Sequence, residues 1–181
     1  LAELWHRADE VRRVDVGDAV HLRGLVEISN HCVRQCWYCG VRAGNHAIER
    51  YRMDADEVMA CAYAAREYGY GTVVLQAGED PALTTDWVTG LIHRIKDGTG
   101  LAVTLSLGER DDGELSAWRD AGADRYLLRF ETSDPALYRR IHPPPRRGRP
   151  RRGGSTSVGE LSDGPGRIAL LQRLRGFGYE I

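Results

Sequence analysis

The sequence predicts an α/β fold that is part of a (β/α) barrel of the TIM type, about its first four β/α units. Two observations carry this expectation. Short, apolar, often β-branched runs alternate with segments of helical periodicity, and no hairpin signal joins two such runs directly. Parallel strands linked by helical crossovers are the arrangement that this order requires, and repeated several times it closes toward a barrel. In addition, each strand candidate runs into a polar cluster, as expected where chemistry sits at the carboxyl ends of the strands.

Taken in order, residues 1–15 place Leu4, Ala8, Val11 and Val14 at helical spacing and predict a lead-in helix within a segment 1–23. Residues 25–29 form the first strand candidate. Asp54 opens a helix with Glu57 three residues on, the spacing of a capping box, and Val58, Cys61, Ala62 and Ala65 form its apolar face. Cys61 reads as a small buried hydrophobe. Gly69 or Gly71 ends this helix. Residues 72–75, bounded by glycine, predict a strand buried on both faces. Thr84 or Thr85 caps the next helix, which carries Trp87, Val88, Leu91, Ile92 and Ile95. Residues 101–105 are the third strand, 111–121 the third crossover helix and 124–128 the fourth strand. Residues 168–177 predict one more helix, and 178–181 the start of a fifth strand.

Composition narrows the class. The 181 residues are 42% hydrophobic and 28% charged, as in a soluble globular domain. The formal net charge of -1 offers no global attraction to nucleic acid or to an anionic membrane. No apolar run reaches the length of a membrane span. With no charged-then-apolar leader and with exposed thiols to keep reduced, a cytoplasmic setting is expected.

The chemistry concentrates at Cys32-Val-Arg-Gln-Cys36-Trp-Tyr38-Cys39, where three of the chain's four cysteines fall within eight residues. Three thiolates can hold three corners of a [4Fe–4S] cube and leave the fourth iron open to a small chelating molecule. A structural zinc site would need a fourth ligand, His31 or His46. A disulfide would pair two cysteines and strand the third. The cube is the favoured reading, with the other two open.

This spacing, with an aromatic residue before the third cysteine, resembles the signature of the radical S-adenosylmethionine (SAM) enzymes. Glu27-Ile-Ser-Asn30, Tyr38-Cys-Gly-Val-Arg42 and Arg50-Tyr-Arg52 further resemble the HydE type of [FeFe]-hydrogenase maturase, as do Leu75-Gln-Ala-Gly-Glu-Asp-Pro81 and Arg125-Tyr-Leu-Leu-Arg129. The resemblance implies that Cys32, Cys36 and Cys39 ligate the cluster. Gln76, Ala77, Gly78 and Glu79 match the family's Gly-Gly-Glu loop, which accepts the SAM ammonium, with Ala77 in place of the first glycine. Glu131 matches an acid that contacts the ribose or ammonium. Arg167 matches the arginine that pairs with the carboxylate, a bidentate task suited to guanidinium. Tyr38 matches the residue whose backbone faces adenine, and Ser106 and Arg129 match pocket-lining positions. In such enzymes a cluster electron cleaves SAM to methionine and a 5′-deoxyadenosyl radical, which attacks a substrate held deeper in the barrel. A small-molecule or organometallic substrate, an electron donor such as ferredoxin or flavodoxin, and other hydrogenase maturation proteins are the partners implied.

Two stretches depart from the family pattern. Residues 143–166 begin Pro143-Pro-Pro-Arg-Arg-Gly-Arg-Pro-Arg-Arg-Gly-Gly154 and continue rich in Ser and Gly. This reads as a flexible solvated insertion. A nucleic-acid arm would want aromatic interleaving and an adjoining basic fold, so no nucleic-acid partner is expected. The segment 167–181 carries only a helix and the start of a strand, so the chain reads as the first part of a longer radical SAM core and is expected to be a poor or inactive catalyst by itself. Methylornithine synthase and biotin synthase-like enzymes share the loop and barrel and are the alternative within the superfamily. A zinc or nucleic-acid-binding module is the alternative of another class.

Overall fold

The computed structural model describes residues 1–144 and 164–181. Its elements are α1 (Ala2–Asp15), β1 (Gly24–Ser29), α2 (Ala55–Glu67), β2 (Thr72–Ala77), α3 (Thr85–Thr99), β3 (Ala102–Ser106), α4 (Asp112–Asp120), β4 (Arg125–Tyr126), α5 (Pro135–Ile141) and α6 (Gly164–Gly176). Among the described residues the four strands form one parallel sheet in the order β1-β2-β3-β4, and Glu180 bridges Arg125 in parallel where a fifth strand would pair. This is the opening half of the expected barrel.

Register sorts the side chains into two faces. Val26, Leu75, Leu105 and Tyr126 stand in one row, and all four are buried under the helix layer. The row beside it, Glu27, Gln76 and Ser106, lies on the opposite face, where Gln76 Nε2 donates to Glu27 Oε1 at 3.1 Å. The sheet is therefore apolar toward its helices, and its other face, apolar at Leu25 and Val74, turns polar at the carboxyl ends of the strands.

Helix starts follow the sequence chemistry. Asp54 and Asp111 each form a complete capping box, with Glu57 and Glu114, and the Thr84 hydroxyl accepts from the Trp87 amide. Val88, Leu91, Ile92 and Ile95 of α3 are all buried, each worth about 1.5–3 kcal/mol of transfer free energy. Trp87 is only partly buried beside them, as is Cys61 on α2, where Met59 takes the buried place.

Several expectations need correction. The fourth strand is shorter than 124–128 and covers only Arg125–Tyr126, although the Asp124 and Leu127 amides on either side still donate to Val103 O at 2.9 Å and to Leu105 O at 2.8 Å. The lead-in helix forms, but none of its residues is buried within the described structure, and Leu4, Trp5, Val11 and Val14 face outward. Helix α5 was not foreseen, although Asp134 as N-cap and Pro135 at the first helical position are its signals. Helix α6 begins at Gly164, ahead of residue 168, since the amides of a first turn have no intrahelical partner to lose. The Arg-rich insertion falls largely on residues 145–163, outside the described residues.

Candidate functional site

The cysteine loop leaves β1 at Ser29 and is held from three directions. Arg50 closes it: Nη1 donates to Val41 O at 2.8 Å and to Asn30 O, and Nη2 donates to Arg42 O at 2.8 Å and Asn45 O at 3.1 Å. One guanidinium thus ties both ends of the loop. Asn30 adds a second tie, donating to Glu49 O at 2.7 Å and accepting from the Tyr51 amide at 2.8 Å.

The second hold is Asp80, whose side chain is fully buried. It accepts from Ser29 Oγ at 2.7 Å, from Arg52 at 2.6 and 3.0 Å, and from the Ala82 amide at 3.1 Å. Burial opposes its charge, but these donors prevail and hold the carboxyl below its usual range. The acid after β2 is thereby a brace that joins the ends of β1 and β2 to the returning segment.

The third hold is close backbone approach. A Cβ on Gly78 would fall 2.3 Å from His31 O and 2.6 Å from Cys32 Cβ, so only glycine lets the loop after β2 lie against the cysteines. The Val33 amide donates to Glu79 O at 3.0 Å across this junction.

The cysteines themselves are half-buried free thiols, among the described residues. Burial pushes the Cys32 and Cys36 thiols up, so neither favours its thiolate without a bound cation. No three His, Cys, Asp or Glu side chains among the described residues converge on one point that could hold a single ion. The three cysteines instead line the wall of a shared cleft.

That cleft has a volume of about 210 Å³ and opens on the concave face of the sheet. Each residue assigned a site role from the sequence lies along it: Cys32, Cys36, Tyr38 and Cys39 from the loop; Gln76, Ala77, Gly78 and Glu79 from the end of β2; Ser106 from β3; Arg129 and Glu131 after β4; and Arg167 from α6. Arg167 reaches it because Leu170 and Leu174, one and two turns on, are sunk in the core and fix the helix's rotation. Glu131 has φ of 62°, with the Thr132 amide bonded to Phe130 O at 2.7 Å across it. This tight turn is an unfavourable conformation for a residue with a side chain, and such outliers gather at functional sites.

Four charges meet at the wall of the cleft, of which Arg34, Glu79 and Arg167 line it and Glu109 lies behind them. Arg34 Nε donates to Glu79 Oε2 at 2.6 Å, and Arg167 donates through Nη2 to Glu79 Oε1 at 3.2 Å, through Nε to Glu109 Oε1 at 2.8 Å, and through Nη1 to Arg129 O. Arg34 Nη2 lies 2.5 Å from Glu109 Oε1 but out of line for a hydrogen bond, so that contact is electrostatic. Two cations and two anions leave the group formally neutral, which makes its burial tolerable.

Tyr38 closes the outer side. Its hydroxyl lies 2.8 Å from His142 Nε2, the His142 ring stacks on Tyr138 at 4.1 Å, and the Trp37 amide donates to Ile141 O at 3.0 Å. Helix α5 therefore buttresses the cysteine loop. Sequence reasoning placed Asp80 and Glu109 in the polar clusters after the second and third strands without a specific role, gave none to Arg34 or His142, and did not see that Arg50 and Asp80 frame the loop. A charged residue in a glycine-rich turn reads as solvated until its partners on other loops are known.

Residues 26–152 match the family model of the Radical SAM superfamily. Over 140 residues the chain is 47% identical to the [FeFe] hydrogenase maturase subunit HydE of Thermotoga maritima, covering 77% of this chain and 40% of that one. It is 31% identical over 143 residues to 3-methylornithine synthase of Methanosarcina acetivorans, covering 78% of this chain and 41% of that one. The fold superposes on the crystal structure of methylornithine synthase with a TM-score of 0.81 at 27% identity, over 98% of this chain and 48% of that one. The chain spans about 40% of the length of these curated relatives.

Proposed function

This chain belongs to the radical SAM superfamily, and on that premise we propose that it is part of a HydE-like enzyme of [FeFe]-hydrogenase cofactor maturation that binds a [4Fe–4S] cluster and SAM in the described cleft. Family membership sets aside a zinc or nucleic-acid module as the chain's class. One observation carries the assignment of the cleft: three free thiols and the polar ends of four successive strand-loop units line the same cavity.

The donors fit both groups. Thiols spread along a wall suit a cluster that offers a separate iron to each, and Cys32, Cys36 and Cys39 would hold it. Gly78 lets the loop after β2 lie directly against the start of the cysteine loop, where any side chain would push the two apart. Two carboxylates and a guanidinium, Glu79, Glu131 and Arg167, match the ammonium, ribose and carboxylate of an amino-acid-bearing nucleoside. The Tyr38 segment would face the adenine, Gln76 and Ala77 would belong with Gly78 and Glu79 to the loop that accepts the ammonium, and Ser106 and Arg129 would line the pocket. When bound, the cluster supplies an electron and SAM the carbon-centred radical. The protein's own part is to hold both groups in one orientation and to exclude water from them.

Ferredoxin or flavodoxin would serve as electron donor, and a small or organometallic molecule as substrate. The greater identity to HydE than to 3-methylornithine synthase favours the maturase reading. The superposition on methylornithine synthase keeps an amino-acid mutase as the second. Among the described residues no helix is long and apolar enough to cross a membrane.

The test is anaerobic reconstitution with iron and sulfide, followed by EPR of the reduced chain with and without SAM. A cluster signal that shifts on addition of SAM, and is lost in Cys36→Ala, is expected. Zinc in place of iron, or a cluster signal indifferent to SAM, would refute the proposal.

A further inference from the structure

Resting on the cofactor binding proposed above, we infer that Glu109 is an internal stand-in for the carboxylate of the incoming ligand, and that Arg34 and Arg167 together form the receptor that the ligand takes over from it. The two guanidiniums arrive from separate elements, the cysteine loop and α6, and both are more than nine-tenths buried, at 5% and 7% exposure. Buried arginines so placed require carboxylates. The chain provides two, and they are not held alike.

Glu79 is fixed. It accepts from Arg34, from Arg167 and from the Glu109 amide at 3.3 Å, and it is pressed by Gly108, where a Cβ would stand 2.0 Å from Glu79 Cγ. Glu109 meets the two arginines differently. Its Oε1 accepts from Arg167 Nε at 2.8 Å, while its approach to Arg34 Nη2 at 2.5 Å is off the hydrogen-bonding direction. Arg34 Nη2 is consequently a buried donor without a hydrogen-bond acceptor among the described residues. The backbone just before Glu109 turns at Gly108, whose φ of +80° is a glycine conformation, so Glu109 sits beside a sharp pivot rather than inside a strand.

A free carboxylate in the cleft has two oxygens and no tether. It can align one oxygen on Arg34 Nη2 and the other on Arg167 Nε, which the tethered Glu109 does not achieve. The exchange replaces one anion by another, so the four-charge group remains neutral throughout. Two consequences follow. The arginines are never left uncompensated before the ligand arrives, and a ligand lacking a carboxylate has no means of displacing Glu109. The affinity observed for SAM is then a difference between its own carboxylate contacts and those of the resident one.

The experiment is equilibrium dialysis of the cluster-reconstituted 181-residue chain against SAM and against decarboxylated SAM, which keeps the sulfonium, amine and nucleoside. Glu109→Gln is expected to tighten SAM about tenfold, or ~1.4 kcal/mol, and to leave decarboxylated SAM unchanged. Glu109→Asp, which keeps the charge but withdraws it by one methylene, tightens SAM in the same sense and serves if the neutral variant does not fold. Arg34→Lys in the Glu109→Gln background removes most of the gain. Unchanged or weaker SAM binding in the Glu109 variants would overturn the inference, as would an equal gain for decarboxylated SAM. A wild-type chain that takes up its cluster but binds neither nucleoside would instead overturn the cofactor reading beneath it.

Discussion

Gly78→Ala tests the junction on which the cleft depends. The new Cβ would stand 2.3 Å from His31 O and 2.6 Å from Cys32 Cβ, where ordinary contact begins near 3.4 Å. Both neighbours belong to the start of the cysteine loop, so relief requires the two loops to separate by about 1 Å. That displacement stretches the bond from the Val33 amide to Glu79 O, now 3.0 Å, beyond useful length. Overpacking of this kind costs about 1–3 kcal/mol, and one lost backbone bond adds about 1. In a chain of this size the sum corresponds to a fall in Tm of roughly 5–15 °C. Gly40→Ala is the matched control, because a Cβ there meets nothing within 4 Å. The assay is thermal unfolding of both variants by circular dichroism, together with iron bound per chain after anaerobic reconstitution. Gly78→Ala should lose stability and most of its iron, and Gly40→Ala neither. Wild-type Tm and iron content in Gly78→Ala would refute the close-approach argument.

Two other expectations concern the frame of the loop. Arg50→Lys keeps the charge but cannot serve four carbonyls from one planar group, so it should bind less iron and show faster amide exchange over residues 30–45 than wild type, as Arg50→Ala does; full rescue by lysine would show that charge and not geometry matters. Because the Asp80 carboxyl lies below its usual range in the folded chain, its contribution is complete above a pH of about 4, the unfolded value, and is lost as pH falls through the folded one. Urea unfolding across this window should show Asp80→Asn destabilised at neutral pH and converging on wild type in acid; a constant gap would exclude the ionised brace.

The radical SAM class, the parallel alternating fold and the three candidate cluster ligands were legible in the sequence because each is a local property. A capping box needs four residues, a strand five or six, and the cysteine signature eight, and all are read along the chain without knowing what lies opposite. Asp54, Thr84 and the apolar stripe of α3 fall where their spacing predicts. The residues that make those ligands into a site were not legible in this way. Arg34 lies between two cysteines and looks solvated, yet it is buried because Glu79 and Glu109 arrive from the ends of other strands. Arg50 looks like one more surface charge, and it becomes a clamp only when the loop folds back over it. Burial of charge is a property of the assembled loops: a guanidinium can leave water only where carboxylates or carbonyls from elsewhere in the chain are already in place, and the sheet's register decides that meeting.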